Sequence, residues 1–461
     1  MTKKQIIQGW GRNLSAEVNI LEPKNESLLK EIILNSERES LIVRGLGRSY
    51  GDSAQLDKKN VVSLKNFNTF NLDKKNNLIT CQAGVTFDEL LKYIVPRGFF
   101  LPVSPGTRFV TVGGAIASDV HGKNHHVDGS FGNNIQSIVL LDGKGKLHIL
   151  KPYSSINKID DKNFWSTVGG MGLTGVIVEA SFKLIPISSS FIEVDTKRFN
   201  NLDQLMSEMI EADKKYRYSV AWVDSLHKNF RGVLTCGDHL DYQKLKKDFQ
   251  NNPLTYDIKP LAEAPNFFPG GLLNRFSVRA FNETWFRKSP KSREGELQNI
   301  GEFFYPLDGI QNWNRIYGPK GFIQYQFVVP ENASHLIKQT LETLRRFSVP
   351  SFLTVLKRFG TANPSYLSFP IPGWTLAIDM PANIENLNME LNKLDEIIVN
   401  AGGRIYLAKD SRQSSQIFKK SYPRIKDWLK VREELDPNNI FMSDRSEEHT
   451  SELQSPMYLV C

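Results

Sequence analysis

The sequence predicts an α+β protein of two domains, and three observations predict it. The chain has 461 residues, enough for a large core and for more than one domain. Its first part alternates short apolar runs with glycine-rich loops, and near residue 188 the character changes. From there strand-like runs alternate with helical ones, which suggests an antiparallel sheet covered by helices on one side. The expected division is 1–187 for the N-terminal part of a first domain, 188–402 for a second, and 403–444 for a return to the first. The stretch 445–461 has no periodicity of its own and is expected to be foreign to the fold.

Residues 1–24 read as a lead-in to a helix capped near Asn25, with Leu28, Leu29, Ile32 and Ile33 as its apolar face. The apolar run 41–43 reads as a buried strand. Thr86-Phe87-Asp88-Glu89 is a capping box, and Leu90, Leu91 and Ile94 continue its helix. Residues 135–141 and 147–150 flank Asp142-Gly143-Lys144-Gly145, a hairpin signal. A glycine-rich stretch from Phe164 then precedes an expected buried strand over 173–180.

In the second half, strands are expected over 219–223, 322–329, 351–357 and 375–378. Leu202, Leu205, Met206 and Met209 sit at helical spacing, as do Leu336, Leu341 and Leu344. A helix over 387–399 ends at Gly402-Gly403, and a last helix carries Ile417, Phe418, Trp428 and Leu429. Phe267, Phe268, Phe276, Trp285, Phe286, Phe303, Phe304 and Tyr305 crowd one irregular region. Core packing accounts for most of them, and an apolar lid for a lipid tail is the sharper reading. Asn266 to Gly271 reads as a mobile loop that orders with substrate.

Bulk properties exclude several classes. No run of 18 apolar residues exists, so no transmembrane helix is expected. The N-terminus is basic but lacks an apolar stretch, against a secretory signal. Cys81, Cys236 and Cys461 make no disulfide framework, and no metal site is expected. The net charge of +8 favours anionic partners, yet the lysines are scattered and no nucleic-acid motif is present. A cytoplasmic location is expected, with peripheral contact at the inner membrane left open.

Two glycine-rich stretches, about sixty residues apart, carry the chemistry. One is Arg44-Gly45-Leu46-Gly47-Arg48-Ser49-Tyr50-Gly51-Asp52; the other runs from Pro105 to Asn134 through Gly113-Gly114 and His121, His125 and His126. Gly-x-Gly after a strand suggests a dinucleotide phosphate loop, but the dinucleotide fingerprint needs a third glycine opening a helix, which is absent. Two loops converging on one pyrophosphate through backbone N–H groups fit better.

These stretches resemble the FAD-binding half of the vanillyl-alcohol-oxidase-type flavoproteins. The likeness continues through Phe164 to Gly175, Trp313-Asn314-Arg315, Tyr317-Gly318-Pro319, Gln324-Tyr325-Gln326-Phe327, Ser368 to Trp374 and Ala408-Lys409-Asp410-Ser411-Arg412. It spans about Gly9 to Asp444, and the runs Val120 to His126 and Ser368 to Trp374 point to the branch that acts on polyprenylphosphoryl ribose.

The resemblance implies a two-domain flavoprotein, an FAD-binding domain plus an antiparallel-sheet substrate domain. It implies FAD-dependent oxidation of the 2-hydroxyl of polyprenylphosphoryl-β-D-ribose to a keto sugar, the first half of epimerisation to the arabinose donor of cell-wall arabinan. A short-chain NAD(P)H-dependent keto-reductase would be the partner. Implied cofactor contacts are Arg44, Gly45, Leu46, Gly47, Arg48, Ser49, Tyr50 and Gly51 in the first loop. Gly106, Thr107, Thr111, Val112, Gly113, Gly114, Ser118, His121 and Gly122 follow in the second, with Ile177 and Tyr406 beyond. Lys409 and His121 are the implied catalytic residues; Tyr50, Lys123, Gln324, Gln326, Lys357 and Lys409 would hold substrate.

Many relatives carry a flavin-linked histidine where this chain has Arg48, so the resemblance implies non-covalent FAD. Relatives also place a cysteine where Ala377 stands, which removes a thiol that nitro-aromatic inhibitors capture. The general base stays open between Lys409, His121 and a flavin-activated water. Gln324 and Gln326 alternate on one strand face, as a pocket wall or as a polar outward face. The rivals are a soluble alditol or aldonolactone oxidase and a non-catalytic flavin- or lipid-binding scaffold.

Overall fold

A computed structural model describes residues 3–153, 158–265 and 271–450. Its N-terminal lead-in is a hairpin: Lys3–Gln8 pairs antiparallel with Ser15–Leu21. Ala16 and Val18 turn inward at strand spacing, a short alternation to which the sequence reading gave no element. Ser15–Leu21 lies parallel to Asn60–Ser63, and that strand parallel to Leu41–Arg44. A second sheet is antiparallel, in the order Phe70–Asp73, Leu78–Gln82, Val176–Lys183, Ile135–Leu141, Leu147–Leu150.

Local signals act as expected in most of this half. The helix Glu26–Leu34 is capped by Asn25, whose side chain accepts from the Leu28 N–H at 3.0 Å. It buries Leu29 and Ile33, whereas Leu28 faces out, a correction to the expected apolar face. Phe87–Ile94 carries both halves of the Thr86/Glu89 capping box. The hairpin closes at the expected turn, where the Asp142 carboxylate accepts from the N–H groups of Lys144 at 2.9 Å and Lys146 at 2.8 Å. The strand expected over 173–180 starts later, at Val176, because Gly172 and Gly175 turn the chain with φ of 79° and 139°.

The second half is an eight-stranded antiparallel sheet. Its order is Ser292–Asn299, Phe191–Phe199, Gly232–His239, Tyr218–Val223, Thr354–Phe359, Gly373–Pro381, Phe322–Val329, Arg404–Ile405. The helices Leu202–Ala212, His335–Arg346 and Leu387–Asn400 pack on one face, where Leu205, Met209, Leu341 and Ile398 meet Ala221, Phe327, Leu356 and Leu376. The intervening residues of the same strands face the other way, into a cavity.

The last helix is two, Ser415–Ser421 and Ile425–Leu435, separated at Pro423, which has no N–H to continue the ladder. This segment returns to the first half: the Trp428 indole donates to Ser166 O at 2.9 Å and Met442 N–H to Leu41 O at 2.9 Å. Asp444–Thr450 is helical, and Arg445 pairs with Asp52 at 2.8 Å, so the start of the stretch expected to be foreign is packed. Residues 451–461 lie outside the described residues, as do Phe267, Phe268 and the rest of 266–270. Among the described residues, no helix is long and apolar enough to cross a membrane.

Candidate active site

The strand Leu41–Arg44 delivers the first glycine loop to a cavity of about 660 Å³. The Arg44 guanidinium turns back to the carbonyls of Ala54 at 2.9 Å and Gln8 at 2.5 Å, so it fixes the loop. Gly47 has a φ of 63°, and an added Cβ there would strike the Arg44 side chain. Among the described residues, nothing accepts from the successive N–H groups of Gly45, Leu46, Gly47, Arg48 and Ser49, all of which line the cavity. The Arg48 guanidinium lies 3.9 Å over the Trp10 ring, and its buried Nε has no partner. Burial lowers its pKa against the opposing charge of Asp308.

The second loop behaves differently. Gly113 and Gly114 form the first turn of a helix, Val112–Ala117. Gly113 N–H donates to Ala83 O at 2.9 Å and Gly114 N–H to the Thr111 hydroxyl at 3.2 Å. The expectation that both loops offer N–H groups to an anion therefore fails at this pair. The glycines serve close approach instead: a Cβ on Gly113 would lie 2.9 Å from that of Ala83. Thr107 donates to Asp308 at 2.7 Å, and Thr111 caps the helix beside Gly45. Gly106 faces open space, since an added Cβ meets nothing within 4 Å.

Two expected cofactor residues are off the cavity: Val112 is core, and Gly51 packs on the backbone of Asp410. The others, including Ser118, Gly122, Ile177 and Tyr406, line it. The Tyr406 hydroxyl donates to Ser118 O at 3.0 Å. Unpartnered N–H groups, an orphan guanidinium nitrogen and a cavity of this size fit a pyrophosphate-bearing cofactor such as FAD.

Beyond this cradle the cavity floor is the open face of the eight-stranded sheet. Lys409 lies with its ammonium 3.7 Å from the Tyr50 ring centre. The Gln324 amide donates to the Tyr50 hydroxyl at 3.2 Å and to the Asp379 carboxylate, its register partner on the next strand. The Gln326 amide approaches His121 Nε2 at 3.0 Å, and His121 Nδ1 is buried without a partner. The His121 ring sits among Phe359, Phe369 and Tyr406. Gln324 and Gln326 are thus a pocket wall, not an outward face.

Burial pushes the Lys409 ammonium down and the Asp379 carboxyl up, while each pulls the other toward its charged form. Burial also takes Lys357 down to about 8, and burial with Lys357 takes Lys123 to about 7. Lys123 donates to Phe303 O. His121 is held well below its usual value by burial and by nearby cations.

Sequence reasoning missed Asp379 and the apolar arm made by Trp222, Phe281, Trp285 and Phe352. In the sequence Trp285 is one member of an aromatic crowd, with no signal of its own. For Asp379 no local signal existed, because its partner lies 55 positions away.

Comparison with known proteins points to the same cofactor. Residues 19–151 match a family model described as FAD binding domain, and residues 380–449 one described as D-arabinono-1,4-lactone oxidase. The chain is 38% identical over 451 residues to decaprenylphosphoryl-beta-D-ribose oxidase of Mycolicibacterium smegmatis, covering 96% of this chain and 97% of the relative. It is 32% identical over 372 residues to an uncharacterized protein of Streptomyces coelicolor, covering 78% and 98%. L-gulono-1,4-lactone dehydrogenase of Mycobacterium tuberculosis is 20% identical, covering 95% and 97%. On its likeness to the first of these over nearly the whole chain, the protein belongs to the decaprenylphosphoryl-β-D-ribose oxidase family of FAD-dependent oxidoreductases acting on CH–OH groups.

Proposed function

We propose that this protein oxidises the 2-hydroxyl of a polyprenylphosphoryl-β-D-ribose to the 2-keto sugar, with FAD bound non-covalently. The observation that carries the reading is the chemistry that one cavity brings together. It is lined by residues 45–49 with their unpartnered N–H groups, by Lys123, Lys357 and Lys409, and by the apolar side chains of Trp222, Phe281, Trp285 and Phe352. A nucleotide diphosphate, a sugar phosphate and a prenyl chain need these three surroundings.

FAD, when bound, supplies the hydride acceptor. The protein's side chains do the rest. Buried lysines lose charge by desolvation, and a phosphodiester anion between them favours the charged form again. Lys357 and Lys123 are therefore assigned to the phosphate. The Gln326 amide engages His121 Nε2 at 3.0 Å, and burial with nearby cations holds the ring well below its usual value, so His121 is assigned to orient the substrate as a neutral ring. Lys409 is left as the base for the substrate hydroxyl, since burial brings its neutral amine into reach near neutral pH. Once protonated, Lys409 offers a fixed cation to the charge that develops in the site. Arg48 occupies the position of the flavin-linked histidine and has no ring nitrogen to form that bond.

The keto product suits a separate NAD(P)H-dependent short-chain keto-reductase, which would complete the epimerisation. The division at residues 187, 402 and 444 belongs to the same proposal, and limited proteolysis tests it. The foreign origin of 445–461 is tested by the mass of the protein from its natural source: a chain without those residues supports it, and a chain that keeps them sinks it.

The deciding experiment is anaerobic. A short-chain prenylphosphoryl-β-D-ribose is added to the yellow protein and the visible flavin band is followed. Rapid bleaching is expected. Bleaching by an alditol or aldonolactone instead would favour the soluble-sugar reading, which the match of residues 380–449 keeps in view.

A further inference from the structure

Two residues before His121 the chain reverses, and the reversal is built on a buried carboxylate. Asp119 has a φ of 39° and is fully buried. An aspartate tolerates this left-handed backbone better than most residues. Its carboxylate accepts from four donors: Ser130 Oγ at 2.8 Å, Gly132 N–H at 2.9 Å, Asn363 Nδ2 at 2.7 Å and the Ser368 hydroxyl. A Cβ on Gly132 would lie 2.9 Å from Asp119 Oδ1, so the surroundings of the carboxylate are closed. Burial raises its pKa and the four donors oppose that, with no cation among the described residues taking part.

Ser130 and Gly132 belong to the same loop as Asp119. Asn363 and Ser368 come from the other half of the protein, between the strands Thr354–Phe359 and Gly373–Pro381. Both sets of contacts border the wall around His121. Ser118, next to Asp119, accepts from the Tyr406 hydroxyl at 3.0 Å through its carbonyl. Phe369, next to Ser368, has its ring 4.6 Å from that of Tyr406 and 5.6 Å from that of His121. Packing alone would be served by an apolar side chain, because a buried carboxylate must offset its lost hydration. What four directed bonds add is a fixed geometry.

We propose that Asp119 is a positioning residue for His121: it clamps the second glycine loop to the 363–369 segment, so that the ring keeps its place beside Gln326 and faces the substrate. The inference rests on the part assigned to His121 in orienting substrate; the placement of the ring by Asp119 does not depend on which substrate it is.

The test is a double-mutant cycle on the full-length holoprotein, run with whichever compound bleaches the flavin, prenylphosphoryl ribose or free sugar. Asp119→Asn leaves an amide that cannot accept from all four donors, and should lower kcat/KM about a hundredfold with flavin content kept. In a His121→Ala background the same change should cost less than about threefold. Ser368→Ala, which removes one donor, should follow the same pattern with a loss of about tenfold, and it decides the matter if Asp119→Asn does not fold. A second readout needs no turnover. The His121 ring signal in the NMR spectrum of 15N-histidine-labelled protein, identified by its loss in His121→Ala, should move in Asp119→Asn and in Ser368→Ala. Equal losses in both backgrounds, an unmoved ring signal, or loss of flavin in step with loss of rate would overturn the inference. If the ring signal moves and no protein oxidises the ribose, the positioning stands and the substrate proposal falls.

Discussion

The two faces of the eight-stranded sheet are built by the same strands, in alternation. On the helix-covered face stand Tyr325, Phe327, Leu356, Leu376 and Ile378. One position along stand Gln324, Gln326, Lys357, Thr375, Ala377 and Asp379. Both faces are buried. On the covered face the Tyr325 hydroxyl donates to Asp395 at 2.8 Å, and Arg412 holds that carboxylate at 2.9 Å. On the cavity face Asp379 Oδ2 and His121 Nδ1 have no partner. Burying a polar group without a partner costs about 1–3 kcal/mol. Packing accounts for the first face; the second lines the cavity and leaves polar atoms that a ligand can complete.

Substitutions on each face should separate these roles. The largest effect is expected for Lys409→Met, which should lower kcat/KM by about 1,000-fold. Flavin content, read from visible absorbance, should stay at the wild-type level; loss of flavin with loss of rate would return Lys409 to a structural part. On the opposite face, Leu376→Ala should cost about 2–5 kcal/mol in urea unfolding, with the rate per folded molecule unchanged.

Asp379→Asn sharpens the comparison through pH. The carboxylate raises the pKa of Lys409, so neutralising it lowers that pKa. Whether turnover needs the neutral amine on the acid limb or the ammonium on the basic limb, the limb that Lys409 governs moves to lower pH, by about one unit. A profile that drops in height without shifting would show that Asp379 only packs.

Ala377→Cys should keep turnover within about twofold of the parent. Ala377 lines the cavity, whereas Cys81 and Cys236 are buried. The variant should gain one thiol adduct over the parent by mass spectrometry. No added adduct would place position 377 out of reach of the cavity's ligands.

Much of the fold was legible because its signals are local. The Asn25 cap, the Thr86/Glu89 box, the Asp142 turn and the 322–329 strand each lie within a few residues of what they control. The first glycine loop and the charge of Lys409 were legible in the same way, through motif and resemblance. Where local signals competed, reading failed: the 3–8 and 15–21 strands alternate too briefly to outweigh the helix that follows.

By itself, the sequence determined most of the strands and helices, that strand residues alternate between two faces, and that one loop can present its backbone to an anion. Tertiary structure alone decided which face meets helices and which meets a cavity. It decided that Gly113 and Gly114 N–H are taken by Ala83 and Thr111, that Gln324 bridges Tyr50 and Asp379, and that Lys409 lies over Tyr50. The reason is range: caps and periodicity act over one turn or a few strand positions, whereas these contacts join segments brought together only by sheet register and by the return of the chain to its first half.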